Sequence, residues 1–169
     1  MAWLRAETFV ITASRVLESI KKSAASITVI TERDIEVMGA RYLVDVFINI
    51  PGMSSWYYND GTYKIDSRGL FKSTGQHILF MVNSHPLNES FIGGFGTFLT
   101  MTVENVKQIE IIRGPGSALY GANAFAGVIN VITKSAQDID GFEVIARAGS
   151  YQTQHYNALY GKRFNDIGL

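Results

Sequence analysis

Residues 109–134 read IEIIRGPGSALYGANAFAGVINVITK, two β-branched runs separated by a segment of glycines and small residues. β-Branched runs bounded by glycine favour strands. Gly114, Gly116, Gly121 and Gly127 allow positive φ and close approach of backbone to backbone. The segment therefore demands two strands joined through a confined space. A nucleotide-binding loop is the other use of such glycines, and the chemistry excludes it. Gly116 and Gly121 have the Walker spacing, but Ala122 and Asn123 stand where a phosphate-binding lysine and a Mg²⁺-binding hydroxyl are needed. The dinucleotide pattern fits Gly114 and Gly116, then meets Leu119 at its third glycine, and a strand rather than a helix follows.

Lysine plus arginine equals aspartate plus glutamate at 15 each, so the formal charge of the 169 residues is zero. Without a basic cluster, nucleic acid is excluded as the main partner, because that affinity rests on phosphate neutralisation. There is no cysteine, and so no disulfide framework or thiolate metal site. No run reaches the roughly 18 apolar residues of a spanning helix. Glu7 interrupts the opening apolar stretch too early for a secretory leader, which implies a cytosolic chain or one whose leader is missing.

Upstream, SITVIT reads as a strand, and Thr31 begins TERD, an N-cap signature for a short helix ending near Gly39. Leu43, Val46, Phe47 and Ile50 recur at helical spacing, and Pro51-Gly52 stops that helix. MSSWYY and TYKIDSRGLF read as two strands about an Asn-Asp-Gly turn. HILFMVN is a buried strand ending in a turn at Asn83-Ser84. ESFIGGFGTF is a glycine-punctuated loop, and VENVKQIEII a helical turn entering a strand. The expected fold class is α+β, a small mixed sheet with short helices. Its core should hold Ile27, Val29, Leu43, Phe47, Ile78, Phe80, Ile109, Ile111, Ile129 and Val131.

After Lys134 the texture changes. Phe142, Val144, Ala146 and Ala148 alternate with Glu143 and Arg147, and Tyr156, Ala158 and Tyr160 share one face further on. That pattern suits transmembrane β-barrel strands and equally an antiparallel hairpin half-exposed to water. The expected organisation is an N-terminal segment (1–25), a core domain (26–134) and a strand region (135–169).

VENVKQIEIIRGPGSALYGANAFAGVINVITK resembles the signature segment of the plug domain of TonB-dependent outer-membrane receptors. SITVITERDIEVMGARYLVDVFINIPGMSS, IDSRGL and HILFMVNSHPLN resemble the plug's opening elements, arginine-glycine strand and central hairpin, in the family's order. ETFVITA, comprising Glu7, Thr8, Phe9, Val10, Ile11, Thr12 and Ala13, is similar to the TonB box. Asn83-Ser84 departs from the family's more frequent Asp-Gly turn, a tolerable change since Asn also adopts the left-handed region. The resemblance implies an N-terminal plug followed by the first strands of a transmembrane barrel, and this chain supplies at most two or three of the barrel's about 22 strands. A chain this short is not expected to transport anything by itself.

The resemblance further implies the partners: the periplasmic C-terminal domain of TonB, the chain's own barrel, and a ferric siderophore or haem, in the outer membrane of a Gram-negative bacterium. The box would be loosely held, its sheet partner belonging to another protein. Arg68 and Arg113 would pair with acids of the barrel wall, or locally if that wall is absent. Tyr57, Tyr58, Phe71 and Asn88 would contact ligand from apical loops (57–63, 70–74 and 84–96), or simply pack beneath them. His77, His85 and His155 lack ligand spacing, so no metal site and no cofactor is expected. No nucleophile elbow or acid–base pair is present, and no enzymatic activity is expected. A stand-alone soluble α+β domain binding a small ligand is the rival reading, and a reading frame continuing far past Leu169 would discriminate against it. Calorimetry should detect no saturable ATP or NAD binding at residues 114–127; a micromolar isotherm would refute the loop's structural assignment.

Overall fold

The computed structural model describes residues 9–10, 18–19, 27–67, 69, 76–90, 93–114, 120–164 and 167–168. Two short strands, β1 (Phe9–Val10) and β2 (Glu18–Ser19), pair antiparallel. β3 (Ile27–Thr31) then enters α1 (Glu32–Met38). Thr31 caps α1 reciprocally: its hydroxyl accepts from the Asp34 N–H while Asp34 accepts from the Thr31 N–H, and Gly39 ends the helix at φ 65°. α2 (Leu43–Phe47) is only five residues, because Asp45 holds its start through the Arg41 and Tyr42 N–H groups and the chain turns at Gly52, φ 82°. β4 (Met53–Tyr57) and β5 (Tyr63–Ser67) form an antiparallel hairpin.

The central sheet is mixed, in the order β3-β8-β9-β6-β7. β6 (Ile78–Val82) turns through Asn83 and Ser84, both at positive φ, into β7 (His85–Pro86). Asn83 is locked to Thr133 through its side-chain oxygen and nitrogen, and the Ser84 N–H donates to buried Asn130. A 3-10 helix (Gly96–Thr100) precedes β8 (Val106–Arg113), which runs antiparallel to both β3 and β9 (Gly127–Thr133). β9 also pairs in parallel with β6. Both are buried along most of their length, as parallel strands covered on two faces require.

Each face of the sheet has its own cluster. On one, Ile78, Phe80, Ile109, Ile111, Ile129 and Val131 meet Leu43, Val46, Phe47 and Ile50 of the helical region. Phe80 stacks on Phe95 with ring centroids 5.1 Å apart. On the other, Leu79, Met81, Ile112, Ala124 and Val128 form a smaller group against which Ile27 packs. That register corrects one expectation. Ile27 and Val29 lie opposite Ile112 and Glu110, on the second face, and are only half-buried. Ile30, opposite Ile109, supplies β3's side chain to the main core.

The chain leaves the sheet through α3 (Ala136–Ile139), which a Ser135/Asp138 capping box begins. The long hairpin β10 (Gly141–Ala148) and β11 (Gln154–Gly161) follows, and then the short pair β12 (Arg163–Phe164) and β13 (Ile167–Gly168). Among the described residues no helix is long and apolar enough to cross a membrane, which leaves crossing by strands untouched.

Gly127 shows why the loop ends in glycine. A Cβ there would sit 2.6 Å from the Ile112 carbonyl oxygen, a backbone atom that cannot swing aside. Gly127→Ala should lower stability by about 1–3 kcal/mol, the range for overpacked sites. Chemical denaturation measures it, and an unchanged midpoint would contradict the close strand approach.

Candidate ligand recess and plug–hairpin seam

Two places concentrate polar side chains. The first is an open recess of about 530 Å³ at the end of the sheet where β6 and β9 begin, lined by Gln76, His77, Asn88, Glu89, Ser90, Gly93, Ala122 and Asn123. Asn88 is structural here. Its oxygen accepts from the Phe80 N–H, and its nitrogen donates to the Ile78 and Gly93 carbonyls. The amide thus braces the loop onto β6. His77 lies against Phe125, ring centroids 5.7 Å apart, and Phe125 is largely exposed. The recess therefore offers amide, hydroxyl, imidazole and carboxylate groups beside an exposed aromatic edge.

The expected apical loop of residues 84–96 is divided by the strand register. Ser84 lies at the end where β9 finishes, since Val82 pairs with Val131, whereas Asn88, Glu89, Ser90 and Gly93 line the recess. Tyr57 is 65% exposed and packs edge-on against Tyr63, and Tyr58 lies 5.9 Å from the Lys64 ammonium. Neither lines the recess. Phe71 and Arg68 lie outside the described residues.

Arg113 is half-buried and turned toward its own chain, donating to the Thr28 hydroxyl and to the Pro51 carbonyl. In the TonB-box-like stretch, Glu7, Thr8, Ile11, Thr12 and Ala13 lie outside the described residues. Phe9 and Val10 differ from the expectation of a segment without an internal partner, because they pair with Ser19 and Glu18. Backbone donors take whatever acceptor is close. A ladder this short is weak, since even an isolated hairpin is marginal in water.

The second place is the seam between the sheet domain and the hairpin, which sequence reasoning did not assemble. β10 alternates strictly in exposure. Phe142, Val144 and Ala146 face outward with Tyr156, Ala158 and Tyr160 of β11, while Glu143, Ile145, Arg147, His155, Asn157 and Leu159 face inward. Lys134, whose side chain is 4% exposed, reaches Glu143 at 2.8 Å and Glu32 at 2.6 Å. Burial pulls the Lys134 pKa down, but its bonds to Glu143 and Glu32 outweigh this and raise it above 10.5. Arg147 Nη1 and His155 Nε2 approach Glu104 Oε1 at 3.2 and 3.0 Å, in both cases without hydrogen-bond alignment. The Glu104 side chain is 1% exposed.

A domain with a polar recess at one sheet end and a charged seam against an alternating hairpin agrees with comparisons to known proteins. The TonB-dependent Receptor Plug Domain family matches residues 19–128. This chain belongs to that family. It is 34% identical over 165 residues to the Vitamin B12 transporter BtuB of Vibrio vulnificus (strain CMCP6), covering 96% of this chain and 26% of that protein. The pyoverdine outer membrane receptor FpvA from Pseudomonas aeruginosa PAO1 shares the fold at TM-score 0.75 and 22% identity, over 94% of this chain and 22% of that one. The ferric-catecholate import receptor Fiu from E. coli K12 matches at TM-score 0.67 and 26% identity, over 88% and 20%. The chain thus spans about a quarter of the length of the curated relative, and these relatives are transporters and receptors rather than enzymes.

At the exit from the plug, Lys107 reaches Asp138 at 2.6 Å. Burial opposes ionisation of Asp138, but Lys107 and the Ser135 hydroxyl and N–H together hold its pKa at about 2. A depressed carboxylate contributes stability that is complete above its unfolded value near 3.8 and is lost as pH falls through about 2. Asp138→Asn should therefore destabilise the chain at neutral pH and flatten the acid limb of its stability profile. Parallel wild-type and variant curves down to pH 2 would contradict the assignment.

Proposed function

We propose that this chain is the plug portion of an outer-membrane, TonB-dependent active transporter, gating energy-coupled uptake of a scarce metal chelate. The hairpin is the observation that carries the reading. Its inner edge is charged and docked on the plug, while its outer face exposes Phe142 (78%) and Tyr156 (72%). A water-facing hairpin would gain nothing from such a face, whereas lipid accepts it. This also weighs against a stand-alone soluble binding domain.

The ligand is read as a metal chelate held above the plug, where His77 and the recess amides supply part of its contacts. A ferric siderophore or haem is the reading from the plug resemblance, and the relation to BtuB adds a corrinoid. Ligand binding would release the segment around Phe9 and Val10, which then adds as a strand to the C-terminal domain of TonB through main-chain hydrogen bonds. In this chain that addition competes with the pairing to Glu18–Ser19.

Val10→Pro removes one N–H and fixes φ. It should abolish binding of the TonB C-terminal domain and nutrient uptake by the full-length receptor, whereas Val10→Ala should cost far less. Equal binding by wild type and the proline variant would overturn the coupling role. Growth on cobalamin, haem or ferric siderophores as sole cobalt or iron source distinguishes the ligands.

A further inference from the structure

We propose that the seam is an electrostatic key, fixing the single register in which the hairpin β10–β11 docks on the plug. The plug presents a cation, Lys134, and an anion, Glu104. β10 presents the complementary order, Glu143 and then Arg147, four residues apart on its inward face. At about 3.3 Å per residue the two strand charges are roughly 13 Å apart. Both plug charges are almost wholly withdrawn from water, with side-chain exposures of 4% and 1%.

The pattern penalises every alternative. A slip of one residue turns Glu143 and Arg147 outward and drives the apolar face onto the plug. A slide of four residues sets Arg147 against Lys134 or Glu143 against Glu104. A desolvated charge left unpaired or facing its like is strongly unfavourable. Apolar contact alone is indifferent to such slides, because Ile145 and Leu159 are the inward side chains that would tolerate them. The neighbouring charges reinforce the key. Glu32 of α1 adds a second anion to Lys134, His155 Nε2 of β11 lies 3.0 Å from the same Glu104 oxygen, and Arg147 Nη1 also donates to the Ala40 carbonyl at 3.4 Å. The specificity thus resides in the order of charges along the strand. It holds for this chain whatever ligand the receptor takes and whether or not TonB couples to it.

Hydrogen exchange on the full chain tests the key, with the amides of β6 and β9 as internal reference. Undocking exposes a two-stranded hairpin that is marginal alone, so its amides report the contact. Lys134→Glu and Glu143→Lys should each speed exchange in the hairpin by roughly tenfold or more, and the double exchange K134E/E143K should return it to within about threefold of wild type. If K134E disturbs the reference strands, Glu143→Lys and Glu104→Gln decide the matter, since Lys134 keeps its Glu32 partner in the first and the second removes the buried charge itself. Both should speed hairpin exchange while β6 and β9 stay protected. Additive effects in the double variant, or unchanged hairpin exchange in both E143K and E104Q, would overturn the proposal.

Discussion

The structure depends on β9, a strand paired on both edges and buried on both faces. Residues 127–131 are all buried, with β8 antiparallel on one side and β6 parallel on the other. Such a strand cannot tolerate a polar side chain without a partner, and Asn130 is buried because it accepts the Ser84 N–H. It also needs glycine where its start passes the Ile112 carbonyl. The sheet is pinned at one end by the Asn83–Thr133 tie and at the other by the Asn88 brace. The recess and the exit toward the hairpin are therefore opposite ends of one rigid pair of strands.

That arrangement separates two kinds of surface. The recess end is open and lined by amides, a hydroxyl, an imidazole and the Glu89 carboxylate, groups that can meet a ligand through directed polar contacts. The exit end is closed by charge. Lys134 and Glu104 are withdrawn from water and each faces an opposite charge on the hairpin, so docking is specific but depends on keeping each pair intact. An apolar seam of the same extent would bind the hairpin without fixing its register. A charged one loses its grip once a pair parts.

Much of this was legible in the sequence because local signals and global fold agree. The Thr31 cap, the start of the helical stripe at Leu43, Val46 and Phe47, the Asn83-Ser84 turn and the alternation after Gly141 all appear in the structure where their chemistry places them, while Ile50 joins the core from the turn after α2 rather than from the helix. What escaped reading was the phase of β3, since a five-residue β-branched run carries no sign of which face is covered. The seam escaped for a different reason. Glu104, Lys134 and His155 are far apart in sequence and look like ordinary charged or isolated residues until topology brings two of them to one strand edge. Asn88 likewise reads as a ligand-facing amide in a loop, and only the backbone of β6 shows what it holds.

The central claim is that β10–β11 has one side for the plug and the other for lipid. Spin labels at Val144 and Ala158, outward on the two strands, and at Ile145, inward, test it in the full-length receptor reconstituted in bilayers. Collision rates with oxygen, which concentrates in lipid, and with a water-soluble nickel chelate give the environment of each site. The account predicts high oxygen and low nickel accessibility at residues 144 and 158, with both low at residue 145. Nickel accessibility at residues 144 and 158 matching that of an exposed loop would contradict it.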